Sequence, residues 1–129
     1  MRRVYLGEAV LLLALARLAV RFAPLGRLFA FVGRPPRRVN RFAREEIDWV
    51  AWAVETTAAK PWMRCASLPR AIAAQIMLRR RGIASRLCLG AACEGGTLTA
   101  HAWIELGPRV ILGGPDGAGF TRLAEFGGA

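Results

Sequence analysis

Leu98-Thr99-Ala100-His101-Ala102-Trp103-Ile104-Glu105-Leu106 alternates without a fault. A strand repeats every two residues. Leu98, Ala100, Ala102, Ile104 and Leu106 therefore share one face, and Thr99, His101, Trp103 and Glu105 the other. His101 is the only histidine in the chain. Before it, Glu94-Gly95-Gly96-Thr97 reads as a turn and Arg86–Ala92 as a preceding strand. Gly107-Pro108 is a second turn and Arg109–Leu112 a third short strand. The Gly-rich tail beyond Gly113 offers Leu123 and Phe126 as anchors.

Upstream of Gly82 the period is helical. A helix is predicted from Cys65 or Ala66 to Arg81, with Pro69 tolerated in its first turn, where backbone N–H groups lack partners anyway. Arg79-Arg80-Arg81 complements the negative end of the helix, and Gly82 caps it. An earlier helix runs from an Asn40 cap to Thr57, with Phe42, Ile47, Val50, Ala51 and Val54 as its apolar stripe. Glu45, Glu46 and Asp48 sit near its positive end. Helices followed by an antiparallel meander define the α+β class.

Residues 1–33 read as an amphipathic helical segment, set off by Gly33-Arg34-Pro35-Pro36-Arg37-Arg38 from residues 40–129. With 129 residues, the whole fits one domain. Val10–Phe22 is rich in Leu and Ala. Arg2 and Arg3 ahead of it, and Ala14-Leu15-Ala16 within it, allow a signal-peptide reading. A membrane span needs about 20 apolar residues, and Arg17 and Arg21 interrupt this run before Pro24 ends it. An amphipathic helix fits better, lying against the body, a partner or a membrane surface.

The apolar fraction of 54% argues against disorder. The net charge of +10, almost all arginine, suits a polyanion. No zinc-finger spacing, RNA-recognition aromatic signature or helix-turn-helix supports a nucleic acid partner, so nucleic acid is not the expected ligand. Cys65, Cys88 and Cys93 form no disulfide framework, which favours a reducing, cytoplasmic setting. Three cysteines and one histidine can bind zinc, but no Cys-x-x-Cys pair is present and no metal or other cofactor is expected.

The chemistry rests on Cys65 and His101. A thiolate is the reactive form of cysteine, and a helix N-terminus and a neighbouring imidazolium both favour it. A thiol at a helix start facing an imidazole on a strand is the arrangement of a cysteine peptidase or another acyl-transfer enzyme. The imidazole also needs an orienter. Glu105 lies on the same strand face but roughly 13 Å further on at strand rise, so Asp116, just beyond the third strand, is the better candidate. Trp62 and Arg64 flank the nucleophile and are expected to shape a substrate groove, with Trp103 shielding His101. Cys88 and Cys93 lack a helix start and read as structural. The competing class is a non-catalytic basic module on the same fold, binding nucleic acid or a protein.

Pro61-Trp62-Met63-Arg64-Cys65, Leu68-Pro69-Arg70-Ala71, Leu78-Arg79-Arg80-Arg81-Gly82-Ile83 and Ala100-His101-Ala102-Trp103-Ile104-Glu105 together resemble the transglutaminase-like leader peptidases of lasso-peptide biosynthesis. The similarity is most specific over Pro61–Leu106. The N-terminal helix and the Gly113-Gly114 ending with its distal Leu-x-x-Phe extend it over nearly the whole chain. The resemblance implies a papain/transglutaminase-like core with Cys65 as nucleophile and His101 as base. It implies a ribosomally made precursor peptide as substrate, cut between leader and core to free an amine for a separate ATP-dependent lasso cyclase. It also implies a small leader-recognition protein, here a separate chain, since 129 residues leave no room for a fused module. Many members carry an acidic residue at the end of the third strand, where this chain has Leu112-Gly113-Gly114. Either Asp116 substitutes from the following loop, or Cys65 and His101 act as a dyad.

Overall fold

The computed structural model describes residues 2–32, 34, 44–63, 66–107, 109–113 and 121–127. Among these, four helices precede four strands: α1 (Arg2–Phe22), α2 (Leu25–Val32), α3 (Arg44–Ala58), α4 (Ser67–Arg80), β1 (Arg86–Glu94), β2 (Thr97–Leu106), β3 (Arg109–Leu112) and β4 (Thr121–Phe126). The strands form one antiparallel sheet in the order β3-β2-β1-β4. This is the expected α+β arrangement, with helices first and a small open sheet after them.

Tyr5, Ala9, Leu13 and Ala16 recur at helical spacing and are buried, so one face of α1 covers the domain's own core. Leu13, Val50, Val54, Ile72, Met77, Leu78, Leu87 and Ile104 are each under 2% exposed and join α1, α3, α4 and the sheet in one cluster. Burial of side chains of this size contributes about 1.5–3 kcal/mol each. The N-terminal segment is not a single helix. Pro24 breaks it, and its carbonyl accepts from the Leu28 N–H at 3.1 Å to open α2. Among the described residues no helix is long and apolar enough to cross a membrane. The predicted Asn40 cap, Phe42 and the Pro35-Pro36 break lie outside the described residues.

Helix α4 ends as its sequence predicts. Gly82 takes φ 80°. The Gly82 N–H donates to the Arg79 carbonyl, and the Ile83 N–H to the Leu78 carbonyl, both at 3.0 Å. These are the two bonds of a Schellman cap. The arginine triplet does more than complement the helix dipole. Arg80 and Arg81 donate to the Glu8 carboxylate of α1 at 2.7 and 2.6 Å, and Arg79 donates to the Phe31 carbonyl of α2 at 2.5 Å. The Arg81 guanidinium also lies 4.4 Å from the Tyr5 ring centroid. The triplet therefore clamps both N-terminal helices onto α4.

Two features of the sheet depart from the pattern in the sequence. Burial along β2 does not alternate: Thr97–Ala100 are exposed, whereas Ala102, Trp103, Ile104 and Glu105 are all buried. Ala102 and Ile104 face the helices, while Trp103 and Glu105 are covered on the other side by side chains from β1 and β4. The tail forms a fourth strand, paired with β1. Phe126 packs against the core, but Leu123 is exposed and anchors nothing. Gln75 of α4 fixes the end of β4, donating to the carbonyls of Phe126 at 3.0 Å and Ser85 at 3.1 Å.

Glu8→Ala is expected to lower unfolding stability by about 2 kcal/mol, because it leaves the half-buried Arg81 guanidinium without its carboxylate. Urea denaturation of the variant measures this as a fall in midpoint at unchanged slope.

Candidate active site

The N-terminus of α4 meets the edge of β2. Ala66 caps the helix with extended backbone (φ −66°, ψ 173°) and no side-chain cap. One residue further on, the Ser67 hydroxyl turns outward and accepts the Ala102 N–H at 3.0 Å. β3 pairs with β2 only from Ile104 onward, so the serine takes up a strand-edge donor that β3 does not reach. This hydroxyl sets the helix start beside His101, the residue before Ala102.

Between the two elements lies a cavity of about 330 Å³ lined by Ala66, Ser67, Arg70, Ala100, His101, Ala102 and Gly113. His101 is half-buried in its wall. Its Nε2 is 2.6 Å from the Gly113 carbonyl oxygen. A carbonyl only accepts, so Nε2 carries the proton and donates, and the lone pair of the neutral ring falls on Nδ1. Gly113 has φ 69°, and a Cβ there would lie 3.1 Å from the Ala102 carbonyl oxygen. Glycine thus meets both needs of the position, a left-handed backbone and a close approach to β2. Arg70, also on the cavity wall, donates to Glu55 of α3 at 3.3 Å.

A second cluster supports the ring from the outer face of the sheet. Trp103 stacks beside His101, with centroids 6.5 Å apart and planes at 22°. The indole fits because Gly90, which pairs with His101 across the ladder, has no side chain. A Cβ at Gly90 would come within 2.7 Å of the Trp103 ring. The Trp103 Nε1–H donates to Glu105 at 2.7 Å, the Cys88 thiol donates to the same carboxylate at 3.4 Å, and Arg86 donates to it at 3.2 Å. Arg122 of β4 also donates to Glu105 and, in turn, to Glu125. Burial alone would raise the Glu105 pKa. The hydrogen bonds from Trp103, Arg122 and Cys88 outweigh it, with the Arg122 charge assisting, and hold the carboxyl below its usual range. Burial, with the Glu105 carboxylate as hydrogen-bond partner, pushes the Cys88 thiol up to about 12. Such a thiol stays protonated and unreactive at neutral pH.

Of the residues singled out from sequence, His101 and Trp103 are brought together. Cys65, Arg64 and Asp116 lie outside the described residues. Ala66, the neighbour of Cys65 in the chain, lines the His101 cavity. Trp62 is 63% exposed in the preceding turn and is not part of the described lining. Cys88 is buried and Cys93 exposed, both as free thiols. Among the described residues no three His, Cys, Asp or Glu side chains group to hold a metal ion. The sequence reading missed Ser67, Gly90 and the Gly113 carbonyl. A serine at the first helical position just after a candidate nucleophile is a usable signal. A backbone acceptor leaves no trace in sequence beyond the glycine that frees it.

Against family models, residues 9–125 match the Transglutaminase-like superfamily. Among curated proteins and solved structures, none matches this chain. The match spans most of the sequence, and the chain belongs to the transglutaminase-like superfamily. Its fold is compatible with cysteine peptidase chemistry.

The low Glu105 pKa fixes the sign of a pH effect. A carboxylate whose pKa is lowered by folding stabilises the protein above its unfolded pKa, and that contribution is lost as pH falls through the folded value. Glu105→Gln is therefore expected to be less stable than the parent at pH 7 and to lose less on acidification. Thermal unfolding of both proteins from neutral to acidic pH checks it, and parallel curves would refute it.

Proposed function

For this transglutaminase-like chain, we propose a cysteine peptidase with Cys65 as nucleophile and His101 as base. The observation that supports it most is the cavity whose walls include both Ala66, next in the chain to Cys65, and the His101 ring. The fourteen-residue α4 directs its positive N-terminal end toward the same cavity, and that end favours a thiolate. In the proposed reaction, the lone pair at Nδ1 takes the thiol proton. The Cys65 sulfur attacks the scissile carbonyl carbon. The tetrahedral intermediate collapses to a thioester as the imidazolium returns its proton to the leaving amine. Water, deprotonated by the same imidazole, then cleaves the thioester and restores the thiol.

The Gly113 carbonyl takes the orienting role that a carboxylate fills in a triad. It holds the Nε2–H and so directs Nδ1 as base, without adding a full negative charge beside the imidazolium. In this reading Cys65 and His101 act as a dyad and Asp116 is dispensable. Trp103 screens one side of the ring, and Arg70 borders the substrate path from the cavity wall.

The finer assignment is leader removal from a lasso-peptide precursor. It rests on the resemblance carried by Pro61–Leu106. The substrate would be presented by a separate leader-recognition protein, and the freed amine passed to an ATP-dependent cyclase.

Cys65→Ala is expected to abolish precursor cleavage assayed with the recognition protein, and undiminished turnover would overturn the assignment. A thiol-reactive probe gives a readout independent of substrate. Cys65 should label near neutral pH in a His101-dependent way, Cys93 independently of His101, and Cys88 only on unfolding. An unreactive Cys65 together with salt-dependent DNA or RNA binding would favour the basic binding module instead. Asp116→Asn should keep most activity, whereas Gly113→Ala, strained at φ 69°, should lose about tenfold or more in kcat. The reverse ranking would restore Asp116 as third member of a triad.

A further inference from the structure

Helix α1 carries a second apolar face that the domain does not use. Val4, Leu11, Leu15, Leu18 and Phe22 are between 51% and 74% exposed. Their spacing of seven, four, three and four residues places them within about 60° of arc along the whole helix, a length of about 31 Å. The core-facing residues Tyr5, Ala9, Leu13 and Ala16 occupy the opposite side. Folding therefore leaves an apolar ridge in solvent, unbroken from Leu11 to Phe22, with Val4 two turns before it across Gly7. Isolated exposed leucines are ordinary, but a ridge of this regularity marks a contact surface.

Among the described side chains, the exposed charges of α1 itself are all of one sign. Arg3 and Arg21 are exposed along one flank. On the other flank, Arg80 reaches Glu8 and remains 61% exposed. Glu8 is the only acidic residue of α1, and it is 10% exposed and held by both Arg80 and Arg81. The ridge thus has arginine on both sides, and among its described residues α1 presents no outward carboxylate. Pairing with a second copy along a two-fold axis would bring arginine flank against arginine flank. A partner helix would need its acids set locally against these few positions. An anionic surface needs no such register, because it also draws on the +10 charge of the chain as a whole.

We propose that α1 is an interfacial helix that seats the protein on an anionic lipid surface. Val4, Leu11, Leu15, Leu18 and Phe22 enter the acyl boundary, and the flanking arginines meet the headgroup phosphates. The domain rides above, attached through the Tyr5–Ala16 face. This does not depend on the catalytic reading, since Cys65→Ala should bind lipid like the parent.

The test is co-sedimentation of the full chain with phosphatidylcholine vesicles, with and without phosphatidylglycerol, in low and high salt. Binding is expected only to vesicles containing phosphatidylglycerol. Leu11→Ser, Leu15→Ser and Leu18→Ser combined should weaken it by about tenfold or more at unchanged circular dichroism. Arg3→Gln with Arg21→Gln should weaken it and flatten its salt dependence. Failure to sediment with the anionic vesicles, or sedimentation indifferent to the serine substitutions, would overturn the proposal. So would a ridge-dependent dimer in sedimentation velocity, or a ridge-dependent complex with a purified biosynthetic partner, in the absence of vesicle binding.

Discussion

The hydrogen bond from the Ala102 N–H to the Ser67 hydroxyl joins the two halves of the molecule at the point where they differ most in period. A helix and a strand edge share no common repeat, so their relative placement is not set by pattern alone. Here a side chain in the first helical turn fills an empty place on the β2 edge. Apolar packing of α4 on the sheet supplies the energy, and this polar contact supplies the register. The His101 cavity exists because the helix start stops at that edge.

The same economy recurs around the imidazole. Among the described residues, the ring is held by a backbone carbonyl rather than by an acidic side chain. The Gly113 carbonyl sits 2.6 Å from Nε2 because the left-handed backbone at that residue turns the end of β3 back toward β2. On the far side, Glu105 works through the indole. It acts two residues away, fixing the Trp103 indole that stacks beside the imidazole. Fully partnered, that carboxylate is an asset. With a partner missing, it would be a buried charge without compensation.

The strong positive charge has no single meaning. Arg79, Arg80 and Arg81 fasten α4 to the N-terminal helices, and Arg86 and Arg122 neutralise Glu105. Arg17 donates to the Met63 carbonyl at 3.0 Å, tying α1 to the turn before Cys65. Each is a construction element before it is a ligand for anything. What remains at the surface, notably beside the α1 ridge, is the part available for long-range attraction.

The α+β class, the strand β3, the Gly82 cap and the meander were legible in the residues alone, because each is a local pattern of period, turn chemistry or capping. Helix α4 was legible too, though it starts at Ser67, one or two residues later than its pattern suggests. The sequence also singled out Cys65 and His101, by residue type and by their expected places at a helix start and on a strand. It did not determine that Trp103 and Glu105 are buried, since that depends on side chains delivered by β1 and β4. Nor did it reveal β4 itself, whose Gly-rich approach carries little periodicity and whose pairing with β1 is non-local. The Ser67 contact, the space above Gly90 and the Gly113 acceptor come from three-dimensional packing. Those depend on distances between elements far apart in the chain, and no local pattern encodes a distance.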